Sequence, residues 1–198
     1  MNYALRTIAL ALLLFLAGNS RAEAQDMWAG VTYQTALSSG DMTDFVDQFS
    51  WRNVGLEGRS MIGSNASLGV FLGWNVFHDE MDGTVSLGAV DATGYQSRFV
   101  NALPLLATAH YYFGQPSGPR PYVGAGVGTY WIENRFELGV TAVQATNWHF
   151  GLAPEFGVII PTQSLTETYL SVKYNYAFES GDIQRSFWTF GIGFGSRY

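Results

Sequence analysis

Apolar side chains recur at every second residue along most of the chain from Met27 onward, the repeat of a β-strand whose two faces meet different surroundings. The last segment is the plainest. Trp188, Phe190, Ile192, Phe194 and Tyr198 take even positions, while Thr189, Gly191, Gly193, Gly195 and Arg197 take odd ones. Leu170, Val172, Tyr174, Tyr176 and Phe178 alternate in the same way with Ser171, Lys173, Asn175 and Ala177. Further runs set Leu68–Val76 against Ser67, Gly69, Gly73 and Asn75, with Phe71 and Phe77 joining the second face. Others set Val123–Trp131 against Gly124, Gly126, Gly128 and Tyr130, and Trp148–Ile160 against His149, Gly151, Ala153, Glu155 and Gly157. Weaker alternation covers Ala29–Leu37, Val54–Met61 and Leu103–Phe113. The pattern predicts eight strands, each of roughly 9–14 residues, the length that crosses a bilayer at the tilt of barrel strands. Short connections at 62–66, 114–120 and 161–165 alternate with longer ones at 38–50, 78–98 and 133–147 and a shorter one at 179–186. Short turns at one end and long loops at the other fit an all-β, eight-stranded antiparallel up-and-down transmembrane barrel.

The composition of the two faces decides between a membrane barrel and a soluble one. Only 13% of residues are charged and 16% are aromatic, and Lys173 is the only lysine. A soluble barrel would turn a charged face to water, whereas the less bulky face here is mostly Gly, Ser, Thr, Ala and Asn. Glycine cannot solubilise an exterior, but it relieves crowding inside a closed sheet of eight strands, which leaves room only for side chains. The bulky, nearly uncharged face is therefore expected to meet hydrocarbon. Trp74, Trp131, Trp148 and Trp188 lie near the loop end of their segments on that face, the positions of an aromatic girdle at the lipid headgroups. A net charge of -6 excludes a basic nucleic-acid footprint, and the absence of cysteine excludes disulfide scaffolds, thiol enzymes, zinc ribbons and a lipoprotein anchor.

Residues 1–24 read as a secretory signal peptide. Arg6 precedes an apolar run from Ile8 to Ala17, and Ala22-Glu23-Ala24 supplies small residues for cleavage. The run is too short to span a membrane as a helix. Residues 25–198 are then the barrel domain.

Several stretches carry a likeness: Leu72-Gly-Trp-Asn-Val-Phe77, Tyr111-Tyr-Phe-Gly114, Pro121-Tyr-Val-Gly-Ala-Gly-Val-Gly128, His149-Phe-Gly-Leu-Ala-Pro-Glu-Phe-Gly157 and Val172-Lys-Tyr-Asn-Tyr176. Taken with the strand spacing, the chain from Met27 to Tyr198 resembles the small outer-membrane β-barrel domain of Gram-negative envelopes, OmpA/OmpW-like. The resemblance implies an outer-membrane location, contact with outer-membrane lipids and lipopolysaccharide, and a last strand whose Phe194 and terminal Tyr198 signal to the barrel-assembly machinery. Ser196 and Gly191 depart from that signal, which has an apolar and a polar residue there. A monomer without cofactor or nucleic-acid partner is expected.

Candidate chemistry is sparse. Glu57, Arg59, Glu155, Lys173 and Arg197 share the inward parity of their segments, with His110, Tyr112 and Tyr130 as hydrogen-bonding neighbours. Buried charges must be paired, so these residues are expected to form a static polar core that fills the lumen, the other reading being an ion-pair gate. Glycines at 124, 126 and 128 fall within a strand pattern, with no helix following to receive a phosphate. A lipid A-modifying enzyme would need a base and a nucleophile within hydrogen-bond reach. None of His78, His110 and His149 begins a His-x-Ser motif, and no catalytic residue is expected. Asp41, Asp44, Asp47, Asp79, Glu80, Asp82, Asp91, Glu133 and Glu137 make the loops acidic, but their spacing lacks a full calcium-loop pattern, so no metal site is expected. The leading expectation is a structural or surface-interaction protein with a plugged lumen. The alternative is a narrow barrel passing small or apolar solutes, for which inward Phe71, Phe77 and Phe187 would suit.

Overall fold

The computed structural model describes residues 27–87, 90–115, 117–138, 141–162, 166–180 and 185–197; the expected leader at 1–24 and Tyr198 lie outside them. The chain forms β1 (Met27–Ser39), a single 3-10 turn (Gly40–Met42), β2 (Phe49–Ile62), β3 (Ala66–Leu87), β4 (Val90–Tyr112), β5 (Arg120–Leu138), β6 (Thr141–Pro161), β7 (Thr166–Ala177) and β8 (Arg185–Arg197). Each strand pairs antiparallel with the next, and β8 returns to β1 from Trp28↔Arg197 to Ser39↔Ser186, closing the barrel.

Alternation sorts the side chains as expected. Val31, Leu56, Leu72, Phe156, Phe190 and Phe194 point outward and are exposed, while Thr32, Glu57, Phe71, Glu155 and Thr189 point inward and are buried. Apolar exposure on this scale around a whole barrel would be prohibitive in water, and it specifies a hydrocarbon surround. Gly63 and Gly114 turn the chain at the short-turn end with φ of 67° and 84°, values that side chains with a Cβ rarely adopt.

The lumen is wide enough only because glycines line part of it. Gly30 and Gly195 face each other across β1 and β8, and the Trp28 indole lies over both. A Cβ on Gly195 would sit 2.1 Å from that ring, and one on Gly193 would sit 2.4 Å from the Tyr169 ring. Where the β1–β2 ladder slips between Gln34 and Ala36, the buried Asn53 side chain repairs it. Its amide donates to Gln34 O at 3.2 Å, and its carbonyl accepts from Val76 N at 3.0 Å.

The strand lengths depart from expectation. β3, β4, β5 and β6 run 22, 23, 19 and 21 residues, and much of 78–98 and 133–147, read above as loop, is strand. The β3–β4 ladder continues to Leu87↔Val90 and the β5–β6 ladder to Leu138↔Thr141. β2, by contrast, leaves β3 at Val54↔Trp74, and β7 leaves β6 at Gly151↔Ala177. A four-stranded sheet thus stands clear of the barrel at the loop end. Among its described side chains those of Glu80, Met81, Tyr95, Arg135 and 141–146 are exposed, and solvation of both faces removes the contrast that marks a strand in sequence.

Overpacking the glycine-lined wall should weaken the barrel. Gly195→Val is expected to cost about 1–3 kcal/mol, read as a lower urea midpoint for refolded protein in lipid vesicles, whereas Ala29→Val on the outward face should leave the midpoint unchanged.

Candidate functional site

The inward side chains meet at three levels. The middle one is a charge cluster, part of which lies along a single row of the sheet. Ser67 of β3 pairs with His110 of β4, His110 with Gly124 of β5, Gly124 with Glu155 of β6, Glu155 with Lys173 of β7, and Lys173 with Thr189 of β8. Gly124 is what joins the halves of this row, since a Cβ there would lie 2.3 Å from the His110 ring.

Lys173 Nζ lies 3.1 Å from Glu155 Oε2 and 3.4 Å from the centroid of the Phe71 ring. Arg59 Nη2 donates to Glu57 Oε2 at 2.8 Å and lies 4.0 Å from Glu155 Oε1. His110 Nε2 sits between the two carboxylates, 3.6 Å from Glu57 and 3.8 Å from Glu155. Tyr122 donates to Glu155 Oε1 at 2.6 Å, Thr108 to Glu57 Oε1 at 3.4 Å, and Arg59 Nη1 to the Tyr112 hydroxyl at 3.1 Å. The Arg59 guanidinium is caged by Trp28, Tyr122 and Tyr169, whose ring centroids lie 4.7, 5.1 and 5.7 Å away. Two carboxylates thus face a guanidinium and an ammonium group. That balance, with hydrogen bonds to the remaining oxygens, is what lets ionised groups persist in a low-dielectric interior.

Towards the short-turn end the inward side chains form an aromatic layer. Trp28 meets Tyr169 edge-on at 5.1 Å and Tyr112 meets Tyr122 at 5.7 Å. Arg120 lies over Tyr112 and donates to Ser64 O at 2.7 Å. Arg197 belongs to this level rather than to the charge cluster, with Arg197 Nη2 2.7 Å from Glu167 Oε1. Glu167 escaped the sequence reading because no regular alternation leads into β7 from the turn before it.

Towards the loop end an apolar cluster occupies part of the lumen, among buried polar side chains such as Asn134 and Asn175. Phe77 packs edge-on against Phe187 at 5.3 Å, and Val100, Leu106, Tyr130 and Ile132 fill the space around them. Tyr130 also donates to Asn175 Oδ1 at 3.2 Å. The segment between β1 and β2 folds into the mouth, where Met42 and Val46 are wholly buried against this cluster. Phe45 beside them lies between the Arg98 and Arg185 guanidiniums, at 5.6 and 5.5 Å, and Arg98 Nη1 donates to Phe45 O at 3.2 Å. Sequence alternation is silent about this cap because it comes from a non-strand segment.

The four expected girdle tryptophans all point outward. Trp148, Trp74 and Trp188 are exposed, and Trp131, cross-strand from Trp148, is half-buried. Trp51, not anticipated, joins them as the most exposed tryptophan at 64%. Phe194 faces outward opposite Val31. His149 is buried, its Nδ1 2.9 Å from Phe178 O. Among the described residues no group of three or more His, Asp or Glu side chains is placed to hold a metal ion.

The chain matches the family described as outer membrane protein beta-barrel domain over residues 7–197. It belongs to that family. Its barrel accordingly sits in the outer membrane of a Gram-negative envelope. Among solved structures, it is similar to Ail, the attachment invasion locus protein of Yersinia pestis, at 12% identity, with a TM-score of 0.55 over 89% of this chain and 100% of that one. It is similar also to the outer membrane protein OprG from Pseudomonas aeruginosa (17% identity, TM-score 0.54, 89% and 97% covered). The Neisserial surface protein A is a third such structure (16%, 0.52, 89% and 98%). At these identities the likeness is one of fold. No curated protein sequence matches the chain.

If the charge cluster holds the barrel together, removing one partner should be costly and removing both much less so. Lys173→Met is expected to cost about 3–5 kcal/mol in urea unfolding from vesicles, and the double change with Glu155→Gln should recover most of that loss. A single variant as stable as the wild type would show that the pair plays no structural part.

Proposed function

We propose that this outer-membrane barrel is a non-catalytic structural or surface-interaction protein whose lumen does not conduct. The reading is carried by the stacking of three buried layers, aromatic, ionic and apolar, beneath a cap formed by Met42 and Val46. A solute would have to break the balanced cluster of Glu57, Arg59, Glu155 and Lys173 and also part Phe77 from Phe187. Function then rests on what the barrel displays. The outward band takes outer-membrane lipids, the girdle sits at the lipopolysaccharide headgroups, and the projecting hairpins face the medium. The protein acts as a monomer without cofactor or metal, and its last strand is the element read by the assembly machinery. Phe71, Phe77 and Phe187, which would suit an apolar solute path, instead pack against Lys173 and one another.

Planar-bilayer recording of the purified protein tests this. No stable channel is expected from the wild type, and Lys173→Ala should conduct only where it also lowers stability; stable wild-type channels would overturn the closed reading. Incubation with lipopolysaccharide followed by mass spectrometry should show no gain or loss of acyl chains.

A further inference from the structure

The short-turn mouth of the lumen gathers charged side chains whose bonding is incomplete. Arg197 of β8 holds Glu167 of β7, with Nη2 2.7 Å from Oε1. Arg120 of β5 is 2% exposed, lies over the Tyr112 ring and donates through Nη2 to Ser64 O, an uncharged acceptor. Among the described residues no carboxylate comes within ion-pair distance of Arg120. Of the charges that act on it, the like charge of Arg197 outweighs the opposite charge of Glu167. Over the ionic and aromatic layers Arg59, Lys173, Arg120 and Arg197 face Glu57, Glu155 and Glu167, so one positive charge is left over. A guanidinium buried without a counter-ion is costly. The mouth also buries polar atoms that have no partner: Nε of Arg120, Nε of Arg197, Oε2 of Glu167, and Nε1 of Trp28, cross-strand from Arg197. Buried polar atoms are normally paired. Three of these are donors and one is an acceptor.

We propose that this mouth is a binding site for a phosphate group that carries a proton, either free phosphate or a small phosphomonoester, entering from the short-turn side. The Arg120 and Arg197 N–H groups give its oxygens charge-assisted donors. Its P–O–H donates to Glu167 Oε2, the acceptor that the arginines leave over. That proton sets the selectivity. Sulfate has the same shape and is fully ionised near neutral pH, so it would set an oxygen lone pair against the Glu167 carboxylate, which only accepts. A phospholipid headgroup is a phosphodiester and lacks the proton too. The Arg197 side chain, 24% exposed, offers the approach, while Glu167 and Arg120 are more deeply buried. The site lies at one mouth of the lumen and makes no demand on conductance.

The test uses the whole protein with isotopically labelled arginine, refolded in octyl glucoside micelles, which contain no phosphate. Arginine Nε–H signals, assigned with single arginine variants, are followed by NMR as each anion is added at constant ionic strength and about pH 6, where monoesters keep much of their second proton. Inorganic phosphate should move the Arg120 and Arg197 signals together along one saturating curve and leave those of the exposed Arg52 and Arg135 in place. Sulfate, and dimethyl phosphate standing for a lipid headgroup, should bind about tenfold more weakly or less. Methyl phosphate separates the two sources: binding admits monoesters, and exclusion assigns the site to the free ion. Glu167→Gln should erase the preference for phosphate over sulfate, because a carboxamide donates as well as accepts. Arg197→Gln should weaken phosphate binding about tenfold. Should either variant fail to fold, the selectivity of the wild type decides. The proposal is overturned by shifts that never saturate or are equal at all four arginines, by a shift confined to one of Arg120 and Arg197, or by sulfate or dimethyl phosphate binding as tightly as phosphate.

Discussion

A β-sheet surrounded by hydrocarbon cannot keep a free edge, because unpaired N–H and C=O groups there cost several kcal/mol each with no water to satisfy them. Closure of β8 onto β1 follows from this constraint, and much else follows from closure. Eight strands enclose a lumen only wide enough to be lined and filled by side chains. The residues on the inner face must then share a narrow space, so glycines at 30, 193 and 195 give way to the Trp28 and Tyr169 rings. Any ion that points inward must find a counter-ion within that space. Glu155 finds Lys173 directly opposite, and Arg59 finds Glu57 two residues away on its own strand.

The same constraint explains why the barrel changes character above the membrane. Once water can satisfy backbone groups, an edge is tolerated, and β3–β6 continue without β2 and β7 beside them. The mouth left by the shorter strands is filled by the segment between β1 and β2, whose Met42 and Val46 complete the apolar layer under them. The Phe45 ring, held between Arg98 and Arg185, fastens this segment by contacts to β4 and β8. Closure at the mouth is therefore a property of a loop, while closure at mid-depth is a property of the wall. The two projecting edges follow different rules. One is met by Ser50, Asn53 and Asp47 at Val76 and Asp79, and over 141–147 the other meets no backbone partner among the described residues.

Family membership and location follow from the match over residues 7–197 and agree with the outward apolar band. Neither says what the projecting sheet meets.

Alternation alone determined the strand count, the antiparallel order and the sidedness, because a strand between lipid and a crowded lumen must repeat every two residues. It also placed Glu57, Arg59, His110, Glu155 and Lys173 on the inner face and Trp74, Trp131, Trp148 and Trp188 on the outer one. Parity says nothing about height, however. Only the register of each ladder set His110, Gly124, Glu155 and Lys173 in one row and put Arg197 a layer away with Glu167. The long hairpins and the cap formed by Met42 and Val46 were likewise decided in three dimensions. A strand wet on both faces has no hydrophobic period, and a loop residue is buried by what it happens to lie beneath.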